Sequence, residues 1–246
     1  MAFKELRFFG RRKGKAINNS RQMLLDNMLP KLKPTLPSEG QTFDFNTLFG
    51  IAPKEVWLEV GFGGGEHVAE LAKMYPDVGI IGAEPFLNGV VSLLAHLNGS
   101  HSGESIHTDL EEGRTDNVRI WPDDVRQMFP HFTDNSFERV FVLYPDPWPK
   151  ARHAERRFIN QANLHHLHRL ISDTGCLYVA TDVANYAEWA IEQVEISNLF
   201  EQVNTDIHQA PIDWVPTRYE KKGIAAGRQP HYLVFRKKSK KKQNNA

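Results

Sequence analysis

The chain has 246 residues, 41% hydrophobic and 24% charged, with a formal net charge of +0; that is enough for one large α/β domain with a proper core. No run of about 18 apolar residues offers a membrane span, and the basic N-terminus lacks the apolar stretch and cleavage site of a signal peptide. A single cysteine, Cys176, excludes a disulfide framework or a cysteine-cluster metal site, so the sequence reads as a soluble cytoplasmic protein.

The neutral total conceals an asymmetry. Residues 1–33 carry 9 Lys/Arg against 2 Asp/Glu and residues 217–246 carry 10 against 1, which leaves an acidic body. Basic ends on an acidic body suit local binding of a polyanion or simply form solvated tails. The division expected is a basic arm and helical extension at 1–54, a regular domain at 55–236 and a basic tail at 237–246. Met1 to Lys15, with Phe3, Phe8 and Phe9 among its cations, reads as an arm that is mobile when free. Arg21 to Leu32 has helical spacing and should pack on the main domain, with its methionines in the core. Thr35 to Pro53 reads as a loop.

Glu55 to Val60 is a strand, Gly61-Phe62-Gly63-Gly64-Gly65 a turn and Glu66 to Tyr75 a helix. Gly79 to Glu84 is a second strand, followed by a helix at Leu87 to Leu97. Successive βα units imply a parallel, right-handed, doubly wound sheet. Asn98 to Asp116 looks like an insertion. Asn117 to Trp121 is a third strand, Asp124 to Phe129 a short helix and Arg139 to Leu143 a fourth strand. A helix runs from about Glu155 to Ile171, Cys176 to Thr181 is a fifth strand and Val183 to Ile196 a helix. Phe200 to His208 and His231 to Arg236 form an antiparallel last pair.

The glycine turn does not complete Gly-x-Gly-x-x-Gly, because Glu66 occupies the last position. An acid there would repel a pyrophosphate on the helix N-terminus, which argues against a dinucleotide. It suits a cofactor with a positive centre and no phosphate, namely S-adenosylmethionine. Glu59 at the exit of the first strand lies next to the aminocarboxypropyl site, Glu84 at the tip of the second suits ribose hydroxyls, and Asp124 after the third suits the adenine amino group.

Prolines 145, 147 and 149 make Tyr144 to Lys150 a rigid loop at the carboxyl end of the fourth strand. Lys150, Arg152, His153, Arg156 and Arg157 follow. The last two fall near the first turn of the expected helix, where the macrodipole disfavours cations, so they read either as a phosphate-binding surface or as a solvated basic loop. Asp182 ends the fifth strand and either caps the next helix, orients Lys150 or Arg218, or binds the base directly. Thr217-Arg218-Tyr219-Glu220 reads as a recognition loop. His165, His166 and His168 lack a convergent carboxylate for a metal, Cys176 reads as core, and no Gly-x-Ser-x-Gly marks a hydrolase.

Glu59-Val60-Gly61-Phe62-Gly63, Gly82-Ala83-Glu84, Pro145-Asp146-Pro147-Trp148-Pro149-Lys150 with Arg152-His153 and Arg156-Arg157, Thr181-Asp182 and Thr217-Arg218-Tyr219-Glu220 together resemble the bacterial tRNA (guanine-N7)-methyltransferases. The resemblance implies a seven-stranded Rossmann-like sheet, mostly parallel with an antiparallel last strand. It implies methyl transfer from S-adenosylmethionine to N7 of a guanosine in the variable loop of tRNA. Glu59, Gly61, Gly63, Glu84, Asp124 and Asp146 would line the cofactor and reaction site, and Asp146 is the catalytic candidate. Lys150, Arg152, His153, Arg156, Arg157, Asp182 and Thr217 to Glu220 would contact tRNA. Tyr144, Ala151, Ala83 and the longer 98–116 segment depart from the family pattern, and Asp123 rivals Asp124 for adenine. Trp148 either stacks on a base or wedges its loop against the sheet. Other readings are a same-fold methyltransferase on another RNA or protein and a non-catalytic tRNA-binding subunit. Neither an obligatory protein partner nor an oligomeric state is legible.

Overall fold

In the computed structural model, residues 9–99 and 116–238 are described. Seven strands form one sheet in the order β3-β2-β1-β4-β5-β7-β6. They are β1 Glu55–Val60, β2 Val78–Ala83, β3 Val118–Trp121, β4 Phe137–Leu143, β5 Ile171–Thr181, β6 Phe200–Gln202 and β7 His231–Lys237. The first five pair in parallel, while β7 is antiparallel to both β5 and β6. The chain therefore reverses direction across the sheet between β1 and β4. In such sheets ligands sit at the carboxyl ends of the two strands flanking that switch.

Helices cover both faces, as the apolar runs require. They are α1 Asn19–Asn27, α2 Leu29–Leu32, α3 Phe45–Phe49, α4 Glu66–Met74, α5 Leu87–Leu97, α6 Gln161–Leu170, α7 Ala184–Ser197 and α8 Arg218–Ala225. Alternate residues of each strand feed two cores. Leu58, Ile81, Val140, Val142 and Val179 pack with Leu164, Leu167 and Tyr186. Trp57, Ile80, Phe141 and Ala180 pack with Val68, Leu71, Val90 and Leu94. Leu24, Met28 and Leu32 join this second core, whereas Met23 is exposed. Among the described residues no helix is long and apolar enough to cross a membrane.

Several expected elements differ: the loop expected at 35–53 contains α3, the helix expected at Asp124 to Phe129 is two 3-10 turns at Val125–Gln127 and Phe129–His131, and the strand expected at Phe200 to His208 ends at Gln202. The helix expected from Glu155 is a 3-10 segment at Ala151–Arg156, then four irregular residues, then α6, whose N-cap Asn160 accepts from the Asn163 N–H. Ile159 is fully buried in the break, so an apolar residue that fits a helical pattern instead plugs the core from a loop. The fifth strand begins at Ile171, directly after α6, and bulges against Glu138, whose carboxylate accepts from the Ser172 and Thr174 hydroxyls. Thr217 to Glu220 is not a loop: Thr217 caps α8 through its hydroxyl, and the other three lie in the helix. The expected insertion falls largely on 100–115, outside the described residues, as do 1–8 and 239–246.

Candidate active site

A cavity of about 580 Å³ opens at the switch point, floored by the glycine turn after β1 and walled by the loop after β4. Gly61, Gly63 and Gly65 all have positive φ, at 69°, 58° and 80°, a conformation costly for other residues. The turn lies so close to α5 that any side chain at Gly89 would run into the Gly63 carbonyl and the Glu84 side chain. Gly89 thus lets α5 pack directly against the turn. Glu66 opens α4 with its carboxylate folded back over Gly64, where an added Cβ would lie 2.5 Å from Oε2. The N-terminus of this helix therefore faces its own anion, and a phosphate there would be repelled.

Three carboxylates line the cavity at the tips of adjacent strands. Glu84 accepts the Gly63 N–H at 2.7 Å and the Phe86 N–H at 2.8 Å. Burial nevertheless raises its pKa from 4.5 to about 7; the two N–H groups oppose the rise and the charges of Asp146 and Glu59 add to it. Glu59, 2% exposed, accepts from the His67 Nδ1–H at 2.6 Å. Asp124 caps the 3-10 turn at Val125–Gln127 and accepts from Arg126 Nε at 3.0 Å. Asp123 turns the other way and pairs with Arg12 at 3.0 Å, so Asp124 is the acid on the cavity wall.

Across the cleft, Asp146 is exposed and lines the same cavity; among the described residues no group hydrogen-bonds its carboxylate. Its loop is held in an unusual shape, with Tyr144 at φ 50° and Trp148 at φ 41°, conformations that persist only where the surroundings enforce them. Arg157 supplies much of that constraint. It is only 4% exposed, donates from Nε to the Pro147 carbonyl at 2.9 Å and from Nη2 to Asn185 Oδ1 at 2.6 Å, and lies over the Trp189 ring. This corrects the sequence reading: Arg157 holds the loop from beneath and presents no free fork to a phosphate. Neither arginine lies in the first turn of a helix, because α6 begins at Gln161. Arg156 stays at the cavity edge, its guanidinium 4.6 Å from the Phe9 ring centre and 5.1 Å from that of Trp148.

The remaining expected contacts divide. Lys150, Arg152 and His153 are not on the cavity wall but crown the loop outside it, where His153 meets the Trp148 ring edge-on. Thr217, Arg218 and Tyr219 line the cavity, and Tyr219 is close enough that a Cβ at Gly63 would lie 3.2 Å from its ring. Glu220 faces inward, 3% exposed, and accepts from Trp214 Nε1 and the Tyr232 hydroxyl. It anchors α8 to the sheet, which corrects its assignment to tRNA. Asp182 neither caps α7, whose N-cap is Val183, nor meets Lys150 or Arg218; it accepts from Arg228 Nε at 2.6 Å. His165, His166 and His168 contact the Gln161 carbonyl, Phe129 and Phe200 respectively.

Two features escaped the sequence reading. The end of the basic arm is docked: Leu87 N–H donates to the Arg12 carbonyl, Asn88 bonds both Gly14 N–H and the Lys15 carbonyl, and Phe9, Gly10 and Arg11 form part of the cavity wall. No local pattern announces this, since the partners are distant in sequence. The second is His67, whose one available signal is its place beside Val68 on the buried face of α4.

A glycine-floored, acid-lined cleft at the switch point of this seven-stranded sheet defines a Rossmann-like methyltransferase. The family described as "Putative methyltransferase" matches residues 53–233. The tRNA (guanine-N(7)-)-methyltransferase of Rhodospirillum rubrum is 45% identical, over 95% of this chain and 89% of its own length. That of Paramagnetospirillum magneticum is 43% identical, over 95% and 94%. The chain belongs to the tRNA (guanine-N(7)-)-methyltransferase family. Solved structures share the fold at low identity. An antibiotic related methyltransferase is 14% identical, covering 84% of this chain and 100% of that one with a TM-score of 0.50. The 16S rRNA methyltransferase KamB is 12% identical, covering 81% and 95% with a TM-score of 0.51.

Proposed function

We propose that this protein methylates N7 of a guanosine in tRNA, in the cytoplasm, with S-adenosylmethionine as donor. The carrying observation is the pairing of an acid-lined cavity with a carboxylate on its wall, Asp146, that no group among the described residues hydrogen-bonds. S-adenosylmethionine, when bound, supplies a methyl group on a sulfonium, and its two positive centres match an anionic wall.

The residues fit that group. Glu84 would hold the ribose hydroxyls, Glu59 the amino-acid end and Asp124 the adenine end, over Gly61 and Gly63. Guanine N7 presents an in-plane lone pair and needs no proton removed before it attacks. The protein's task is therefore alignment and electrostatics. Asp146 would accept from the N1–H and N2–H edge of the guanine and offset the positive charge that develops on its ring. Arg156, Lys150, Arg152, His153 and Arg218 would contact the tRNA backbone, and Thr217 and Tyr219 would contact the substrate inside the cleft. Asp182 would act on the substrate side through its pairing with Arg228. Residues 1–54, 55–236 and 237–246 would act as arm and extension, catalytic domain and tail.

The test is paired. S-adenosylhomocysteine at 100 times its dissociation constant should stabilise the fold by about 2.7 kcal/mol, while NAD should not. Labelled methyl should then enter unmodified tRNA. Stabilisation by NAD alone would overturn the cofactor assignment, and tRNA binding without methyl incorporation would favour a non-catalytic subunit.

A further inference from the structure

The buried face of α4 is apolar at Val68, Leu71 and Ala72, yet His67 on that face is only 2% exposed. An apolar side chain would fill the place without desolvating a polar ring. The imidazole is held edge-on by Phe141, ring centres 5.0 Å apart, and on another side by Trp214 at 6.0 Å. Trp214 is fixed in turn by its indole N–H to Glu220 at 2.9 Å. So held, the Nδ1–H donates to Glu59 Oε2 at 2.6 Å. Among the described residues His67 is the only group hydrogen-bonding the Glu59 carboxylate, and both residues reach the cavity wall.

We propose that His67 is a positioning residue for the cofactor: by occupying Oε2 it fixes the plane of the Glu59 carboxylate and leaves Oε1 for the ligand's ammonium. A buried carboxylate with a single donor takes its orientation from that donor, and groups that orient a binding residue carry much of its affinity. The inference rests on the reading of Glu59 as the residue that binds the amino-acid end of S-adenosylmethionine. It assigns His67 no contact with tRNA and no proton transfer.

The experiment measures calorimetric binding of two ligands, S-adenosylhomocysteine and 5′-methylthioadenosine, which lacks the amino-acid end. Variants His67→Phe, His67→Asn and His67→Gln are compared, with Glu59→Gln as control. Asparagine can place an amide N–H near the Nδ1 position, whereas glutamine places its own near Nε2. S-adenosylhomocysteine affinity should fall about tenfold in His67→Phe and His67→Gln and stay within about threefold of the parent in His67→Asn. Methylthioadenosine affinity should not move in any of the three. Equal losses for both ligands, no loss for either, or no difference between Asn and Gln would overturn the proposal. If His67→Phe fails to fold, the Asn and Gln pair still decides it. Glu59→Gln should itself lose S-adenosylhomocysteine selectively; if it does not, the reading of Glu59 has failed, whatever the His67 variants show.

Discussion

The two halves of the cleft are built on opposite plans. On the cofactor side each acid is buried and already engaged: Glu84 by two backbone N–H groups, Glu59 by His67 and Asp124 by Arg126. On the substrate side Asp146 and the crown of Lys150, Arg152 and His153 are largely exposed, and the loop that carries them is fixed from below by Arg157. The contrast follows from what each half receives. On the proposed reading, a small ligand with two cationic centres would be recognised by preset, desolvated carboxylates. A large polyanion would instead be met by solvated cations on a stiff support, with contacts forming as counterions leave. Rigidity on one side comes from direct hydrogen bonds at the ligand-facing groups, and on the other from hydrogen bonds one layer beneath them.

The comparison can be broken first at Asp146. Asp146→Ala should lower kcat for methyl transfer by about 100-fold or more, while calorimetric affinity for S-adenosylhomocysteine changes by no more than a few-fold. A matching loss of ligand affinity would move Asp146 to the cofactor half.

Next in size is the contrast between adjacent arginines. Arg157→Ala removes a buried, charged donor set and should cost about 2–4 kcal/mol of stability, read as a fall in denaturant midpoint. Arg156→Ala should leave that midpoint unchanged, weaken tRNA binding and reduce the salt slope by about 1. Equal stability losses in both would erase the distinction between support and surface.

Glu84 gives a pH test confined to the cofactor half. The folded chain holds its proton more tightly than the unfolded chain, so without ligand the group costs stability as pH rises from 4.5 to about 7. In the proposed site, ribose hydroxyls would donate to the ionised form. Affinity for S-adenosylhomocysteine should therefore rise across that upper range and level off above about pH 8, and Glu84→Gln should flatten the profile. The smallest effect is expected at Phe9: Phe9→Ala removes an edge-on contact with Trp148 and the ring beneath the Arg156 guanidinium and should raise the KM for tRNA a few-fold, with cofactor affinity unchanged.

The cofactor half was the more legible in sequence. β1, the glycine turn and the acids at the strand tips are local patterns, and parallel topology places them together without further information. The substrate half misled at Arg157 and Glu220, which read as partners of their neighbours Arg156 and Tyr219. Their orientations depend on a 3-10 break and on Trp214, Tyr232, Pro147 and Asn185, none of which lies on the same local element. The docked arm escaped for the same reason, since Arg12 and Gly14 meet residues more than seventy positions away and charge composition alone reads them as a free tail. His67 was overlooked because a polar residue on an apolar helix face carries no motif, although that mismatch was visible.

The central claim is the acceptor atom. Unmodified tRNA incubated with labelled S-adenosylmethionine and the protein, then treated to cleave at N7-methylguanosine, should break at a single guanosine of the variable loop in proportion to the label incorporated. Incorporation without cleavage would keep the fold and the donor but contradict the assignment of N7 and the role given to Asp146.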